Sequence, residues 1–207
     1  MSSIQKIGVL DLGLGNLANI LKVIEYFKLK AILVKKESDF ELLDKLILPG
    51  VGSFNHFYEN VKKNNLEEKI LNYIERKKIL LGICLGMQVL TNKSFENGEH
   101  EGLKVVNREV LPLKSLDKKI ITPNFGWYKI KKKNKTNSFF DDFVNQDFYF
   151  AHSFYCSPSS YKSDIYMELN GNNISAGFEQ ENIIATQFHP ELSSVNGLQF
   201  YKKFFQL

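Results

Sequence analysis

In the first half of the chain, apolar residues come in two alternating textures. Ile4 to Leu10 (IQKIGVL), Ala31 to Val34, Lys45 to Leu48 and Ile79 to Ile83 are short runs of strand length, and the stretches between them repeat apolar residues at helical spacing. Leu17, Ile20, Leu21, Ile24 and Phe27 share one helical face. Residues 53–63 and 65–77 read as two further helices, the second with Leu66, Ile70, Leu71 and Ile74 on one side. Ser38-Asp39 is a cap for a brief helix. Alternation of this kind with short loops predicts an α/β fold, a parallel sheet covered on both faces. Beyond Ser94 the texture changes. Leu103 to Leu113, Trp127 to Lys132, Phe148 to Cys156, Ile165 to Leu169, Ile174 to Phe178 and Ile183 to Phe188 are strand-like, and helical spacing returns only at Leu198, Tyr201, Phe204 and Phe205. The second half is therefore expected to add antiparallel strands and loops that complete the sheet. With no internal repeat, low-complexity segment or long linker, residues 1–207 read as a single domain.

Composition narrows the function classes. Hydrophobic residues make up 43% and charged residues 24% of the 207, enough for a packed core. The formal charge of +4 comes from scattered lysines. The run Lys131-Lys132-Lys133 sits beside Asp141-Asp142, so it reads as a solvated surface and no nucleic-acid partner is expected. No apolar stretch approaches the ~18 residues of a membrane span, and the N-terminus lacks a signal-peptide profile. Cys84 and Cys156 imply no disulfide framework, so a cytoplasmic, reducing setting is expected.

The candidate chemistry centres on Ile79 to Thr91, ILLGICLGMQVLT. A buried strand runs into Gly82-Ile83-Cys84-Leu85-Gly86, and Met87-Gln88-Val89-Leu90 follow with helical spacing. A nucleophile with a glycine two residues to either side, at a strand-to-helix junction, is the nucleophile-elbow pattern with Cys in place of Ser. Side chains at 82 and 86 would collide with neighbouring backbone in so tight a turn. The following helix would aim its N-terminal N–H groups at the sulfur and favour the thiolate. A buried core cysteine with packing glycines is the bland alternative.

A cysteine nucleophile needs a base, and the base needs an orienter. Of His56, His100, His152 and His189, only His189 comes with one, in His189-Pro190-Glu191 after the Ile183 to Phe188 strand. In extended chain, residues i and i+2 face the same side, and Pro190 biases His189 toward extended geometry. Glu191 can then hold one imidazole nitrogen while the other faces the thiol. Pro49-Gly50-Val51-Gly52 also follows a strand. An ordinary β-turn and a loop that turns N–H groups toward an oxyanion both remain open there. Gly13-x-Gly15-Asn16 after the first strand could cradle phosphate, though it lacks the third glycine of the dinucleotide fingerprint.

GICLGMQ followed about a hundred residues later by QFHPE resembles the class I, triad-type glutamine amidotransferases. LPGVGSF (48–54), Asp11-x-Gly-x-Gly-Asn16, Gly126-Trp127 after Pro123, and YFAHSFY (149–155) narrow the resemblance, over essentially the whole chain, to the glutaminase subunits of imidazole glycerol phosphate synthases. The resemblance implies a flavodoxin-like, doubly wound fold. It makes Cys84 the nucleophile, His189 the acid/base and Glu191 the orienter. Leu85 N–H and the Val51–Gly52 peptide would form the oxyanion hole, with Gly52, Gln88, Ser153 and Phe154 around the glutamine. No metal or cofactor is implied. Ammonia would pass to a separate (βα)₈-barrel cyclase subunit, with Asn16, Asn124, Trp127, Tyr128 and Leu192 toward that partner.

Two stretches depart from the family pattern. Pro-His-x-Gly-Trp-Asn is replaced by Pro123-Asn124-Phe125-Gly126-Trp127-Tyr128, and Leu192 stands where the family has Lys after His-Pro-Glu. Both fall on the implied docking stretch, which raises an alternative: a paralogue supplying ammonia for amidination of a surface-polysaccharide sugar. Trp127 is read as an interface anchor, with Asn124, Tyr128 and Leu192 on the same surface; a core Trp is the competing reading.

Overall fold

The computed structural model describes residues 4–14, 17–50, 52–133, 137–158 and 164–207. The strands and helices of the N-terminal half form where the apolar spacing puts them. They are β1 (Lys6–Leu10), α1 (Ala18–Tyr26), β2 (Lys30–Val34), β3 (Lys45–Leu48), α2 (Phe54–Lys63), α3 (Glu67–Glu75) and β4 (Ile79–Ile83), with a 3-10 turn over Glu37–Leu42. A single helical turn, α4 (Leu85–Gln88), follows β4. The second half consists of β5 (Lys93–Ser94), β6 (His100–Glu101), β7 (Glu109–Pro112), β8 (Asn124–Lys129), β9 (Lys131–Lys132), β10 (Asp147–His152), β11 (Phe154–Cys156), β12 (Ile165–Leu169), β13 (Asn172–Gln180), β14 (Ile183–Thr186) and α5 (Ser194–Gln206).

Among the described residues, eight strands form the main sheet in the order β2-β1-β3-β4-β14-β13-β12-β9. The first five are mutually parallel. With β14 in the fifth place this is the 2-1-3-4-5 order of a flavodoxin-like sheet. Beyond β14, strands β13, β12 and β9 add antiparallel pairs, as the change of texture after Ser94 implies.

Side chains alternate across each central strand, so the sheet buries both faces. Ile47, Leu81 and Ile83 join one core with Ile20 and Ile24 of α1 and Phe200, Tyr201 and Phe204 of α5. Leu46, Leu48 and Leu80 join the other with Phe57 and Val61 of α2 and Ile70 of α3. The fold has one consequence for chemistry. β3, β4 and β14 are neighbours, so the segments after their carboxyl ends, beginning at Pro49, Cys84 and Gln187, meet at one edge of the sheet. Open parallel sheets place their sites at this edge.

Three strand expectations are corrected. Trp127 to Lys132 breaks at Ile130, because β8 pairs with β10 while β9 pairs with β12. Leu103 to Leu113 is not one strand, and only Glu109–Pro112 pairs in a sheet. Leu103, Val105 and Val106 instead donate their N–H groups to Val89 and Leu90 and wrap the segment after α4. Phe148 to Cys156 breaks at Ser153, because β10 pairs with β8 while β11 pairs with β7.

Aromatic rings pack behind the site. Phe200 meets Phe139 at 5.0 Å and Phe188 at 5.7 Å, and Phe188 packs at a tilt on Phe148 at 4.2 Å. Phe188 directly precedes His189, so this cluster anchors the strand end that carries the histidine. Phe200→Ala should cost about 3–5 kcal/mol in urea unfolding, the usual cost of emptying a buried aromatic site.

Candidate active site

Cys84 adopts φ 47° and ψ −102°, a backbone conformation L-residues seldom hold. The turn closes because its surroundings leave no space for side chains. A Cβ on Gly86 would lie 2.0 Å from the Leu48 carbonyl oxygen, and one on Gly82 would lie 2.7 Å from that of Gly86. One on Gly50 would touch Cys84 Cβ at 2.7 Å and His189 Cε1 at 3.0 Å, so the cysteine and the histidine flank the same bare backbone. The helix expected to run through Leu90 is a correction, since α4 stops at Gln88. Met87 and Gln88 N–H both return to the Cys84 carbonyl, which leaves the Leu85 and Gly86 N–H groups as the first-turn donors. One turn aligns few peptide dipoles, so less of the thiolate's stabilisation can come from the helix than the sequence suggests.

His189 Nδ1 lies 2.8 Å from Glu191 Oε1, and both side chains are about nine-tenths buried. Burial alone would discharge the imidazole. The negative charge and hydrogen bond of Cys84 on one side, and those of Glu191 on the other, outweigh it and hold His189 well above the usual histidine range. The main chain of His189 is also pinned. Its N–H donates to Tyr149 O at 2.9 Å, and the Ser193 hydroxyl donates to its carbonyl at 2.6 Å.

A cleft of about 250 Å³ opens at Cys84. Gly52, Leu85, Gln88, Ser153 and Phe154 line it, all of them expected from sequence. Gly52 has φ +94°, a conformation that glycine alone adopts freely. Val51, expected in the oxyanion hole, lies outside the described residues, as does Asn16 of the partner set. Of the Gly13-x-Gly15-Asn16 stretch, Gly15 and Asn16 lie outside the described residues; Gly13 N–H donates to Asp11 Oδ1 at 3.0 Å, and Asp11 pairs with Lys35.

Glu96, Phe125 and His152 also line the cleft and were not singled out in the sequence. Glu96 Oε2 accepts the N–H of Phe54 at 3.0 Å. His152 Nδ1 donates to Phe154 O at 2.8 Å, and burial holds this ring neutral, its pKa lowered to about 4. Gln187 was missed as well; its Nε2 lies 3.4 Å from Cys84 Sγ. A signal for it was available, because Gln187 precedes His189 by the same two-residue step that links His189 to Glu191.

The glutamine amidotransferase class-I family model matches residues 8–206. The chain belongs to the class-I glutamine amidotransferases. Proteins named imidazole glycerol phosphate synthase subunit HisH are similar over nearly their whole length. The one from Chlorobaculum tepidum is 36% identical over 198 residues, 95% of this chain and 97% of that protein. The one from Caldanaerobacter subterraneus is 36% identical over 199 residues, 96% of each. Among solved structures, PurLQS from Thermotoga maritima superposes with TM-score 0.75 at 17% identity, covering 98% of both chains. A structure titled glutamine amidotransferase gives 0.71 at 18%, covering 96% of this chain and 98% of that one. These structures establish the shared fold.

The amidotransferase's β8–β10 ribbon separates the residues expected at the partner surface. Asn124, Gly126 and Tyr128 alternate with Phe125, Trp127 and Lys129. Asn124 is buried, and its Oδ1 accepts from the Tyr128 hydroxyl at 2.6 Å. Phe125 is 63% and Trp127 51% exposed, and Trp127 packs edge-on against Tyr149 of β10. The expectation that Asn124, Trp127 and Tyr128 line one surface is therefore corrected, because strand alternation sends them to opposite faces. Leu192 is exposed. No helix among the described residues is long and apolar enough to cross a membrane.

His152 generates a pH test. Its folded pKa is depressed below the unfolded value near 6.5, so its contribution is present above that value and lost as pH falls toward 4. The full loss should be roughly 3 kcal/mol. His152→Gln, which can still donate to Phe154 O, should lose correspondingly less stability than wild type in urea titrations between pH 6.5 and 4. Parallel curves would contradict a buried neutral ring.

Proposed function

We propose that this chain hydrolyses glutamine and passes the ammonia to a separate (βα)₈-barrel cyclase subunit. The cyclase would make imidazole glycerol phosphate and aminoimidazole carboxamide ribotide in histidine biosynthesis, in the cytoplasm. The observation that carries the reading is the buried His189–Glu191 pair beside an elbow cysteine, in a chain similar end to end to HisH subunits. The alternative, supply of ammonia for sugar amidination, is not favoured, since relatives from several organisms carry the synthase-subunit name.

In this reading the Cys84 thiolate attacks the carboxamide carbon. The oxyanion forms toward the Leu85 N–H and the Gly52 loop. His189, charged before attack, protonates the departing nitrogen, and ammonia leaves a thioester. The now neutral His189 takes a proton from water as its oxygen attacks, and collapse expels the thiolate and glutamate. One water is consumed for each ammonia released. Glu191 keeps Nδ1 protonated and Nε2 directed at the reacting atoms.

Cys84→Ser should lower glutamine-dependent turnover about a thousandfold or more, with circular dichroism unchanged and ammonium-dependent synthesis intact when the cyclase is present. Glu191→Gln should cost clearly less than His189→Ala, because orienters are less severe losses than bases. An equal or greater loss from Glu191→Gln would assign that carboxylate a different role.

The docking surface follows the ribbon's outer face. Phe125, at the cleft mouth, and Trp127 present the exposed apolar side chains there, and Leu192 after His189 is a further exposed apolar residue. Asn124 and Tyr128 support this face from beneath. Trp127→Ala should weaken cyclase binding about thirtyfold in calorimetry while leaving the melting temperature unmoved. Asn124→His and Tyr128→Asn should act chiefly on stability. Unchanged affinity in Trp127→Ala would place the interface elsewhere.

A further inference from the structure

We propose that Gln187 is a further catalytic residue, donating a hydrogen bond to the Cys84 thiolate, and that Gln88 is the positioning residue that fixes its orientation. The proposal rests on Cys84 being the nucleophile.

The Phe154 carbonyl can only accept. It lies 3.1 Å from one end of the Gln88 amide, so that end must be the NH₂ group. The same Nε2 lies 3.1 Å from the nearer end of the Gln187 amide, which must therefore be its oxygen. Only the Gln187 NH₂ group then remains to face Cys84 Sγ, at 3.4 Å. Turning Gln187 over would set oxygen against sulfur and NH₂ against NH₂. The carbonyl of Phe154 thus dictates, through two amides, that a donor points at the nucleophile.

The relay is built to be rigid. Gln187 is fully buried, and its backbone N–H is held by Ala176 O at 2.9 Å on β13. Cys84 N–H donates to the carbonyl of Thr186, the residue before Gln187, at 2.6 Å, so donor and sulfur are referenced to the same strand end. Both Gln88 side-chain donors are consumed by the relay, which leaves its Oε1 for a bound substrate. With α4 only one turn long, a buried donor supplies what the short helix does not.

A neutral donor stabilises the thiolate without adding a second acid, so His189 remains the proton source for the leaving nitrogen. It also makes the sulfur somewhat less nucleophilic, since nucleophilicity falls with basicity. These opposing effects give the residue a signature in pH. Below the midpoint of thiolate formation the gain in ionised fraction dominates. Above it, little is gained.

The test is alkylation of Cys84 by iodoacetamide from pH 5 to 10, followed by peptide mass spectrometry, together with glutaminase kcat/KM over the same range. Cys156 serves as an unreactive reference, because burial pushes its thiol up to about 12. In Gln187→Met the pH of half-maximal alkylation, a property of the Cys84–His189 pair, should rise by about one unit. Its kcat/KM should fall about tenfold at pH 6.5 and recover to within about threefold of wild type at high pH. Gln88→Met should shift the alkylation midpoint in the same direction by less, and this readout needs no glutamine. An unmoved midpoint in folded Gln187→Met, or a loss of kcat/KM uniform in pH, overturns the proposal. If Gln187→Met does not fold, the midpoint in Gln88→Met decides the matter alone. Full glutaminase activity in Cys84→Ser would instead overturn the underlying reading, whatever Gln187 does.

Discussion

A cysteine held at φ 47° and ψ −102° stores strain of about 1–3 kcal/mol, and it stays there only because its neighbours allow no relaxation. β4 lies between β3 and β14, with Gly82 paired to Leu48 on one side and Ala185 on the other and Ile83 paired to Thr186, so the strand is held up to the residue before Cys84. The turn after it fits only because Gly86 passes against the Leu48 carbonyl. Everything chemical in the structure refers back to this point. Gly50 brings the third strand end against the cysteine and the histidine together, and Thr186 takes the Cys84 N–H. A parallel sheet rigid enough to impose the strain is what aims the sulfur.

The two buried histidines near the cleft show how partners, more than burial, assign charge. His152 and His189 are comparably buried. His152 has a backbone carbonyl as its hydrogen-bond partner, and desolvation, with the charge of His189 adding to it, keeps it neutral. His189 lies between the cysteine and Glu191, and their negative charge reverses the outcome. An acid and a neutral ring thus sit close together without exchanging roles. The glutamine relay follows the same economy, because amides order the site without changing its net charge.

The β8–β10 ribbon ties the outer surface to the catalytic edge. Its exposed face carries Phe125 and Trp127, and Trp127 rests on Tyr149. The Tyr149 carbonyl holds the His189 N–H, and its own N–H donates to Ser193 Oγ, which in turn grips the His189 carbonyl. Trp127 is thus connected through Tyr149 to the main chain of His189. The same ribbon shows why departures in sequence cannot be read as one patch: Asn124 and Tyr128 bond to each other beneath the surface that Trp127 occupies.

Local periodicity carries what one strand or helix needs to bury itself, and that part was legible in the sequence. The runs at Lys45–Leu48 and Ile79–Ile83 are strands as read, and the helical faces of α2 and α3 fall within two residues of their spacing. The glycine-cysteine-glycine turn and His189-Pro190-Glu191 were legible too, because each is a local geometry with a chemical purpose. Gln187 stands the same two-residue step before His189, but it was not singled out in the sequence. What spacing could not supply is pairing between distant segments. Nothing near Leu103 announces that its backbone bonds go to Val89 and Leu90 in place of a sheet neighbour. Nothing near Asn124 says which ribbon face will be covered, nor does the sequence around Gln88 reveal that a carbonyl sixty-six residues away sets its amide. Strand and turn are decided by neighbours in the chain. Which side is buried, and what each buried polar group bonds to, is decided by segments that meet only when the sheet closes.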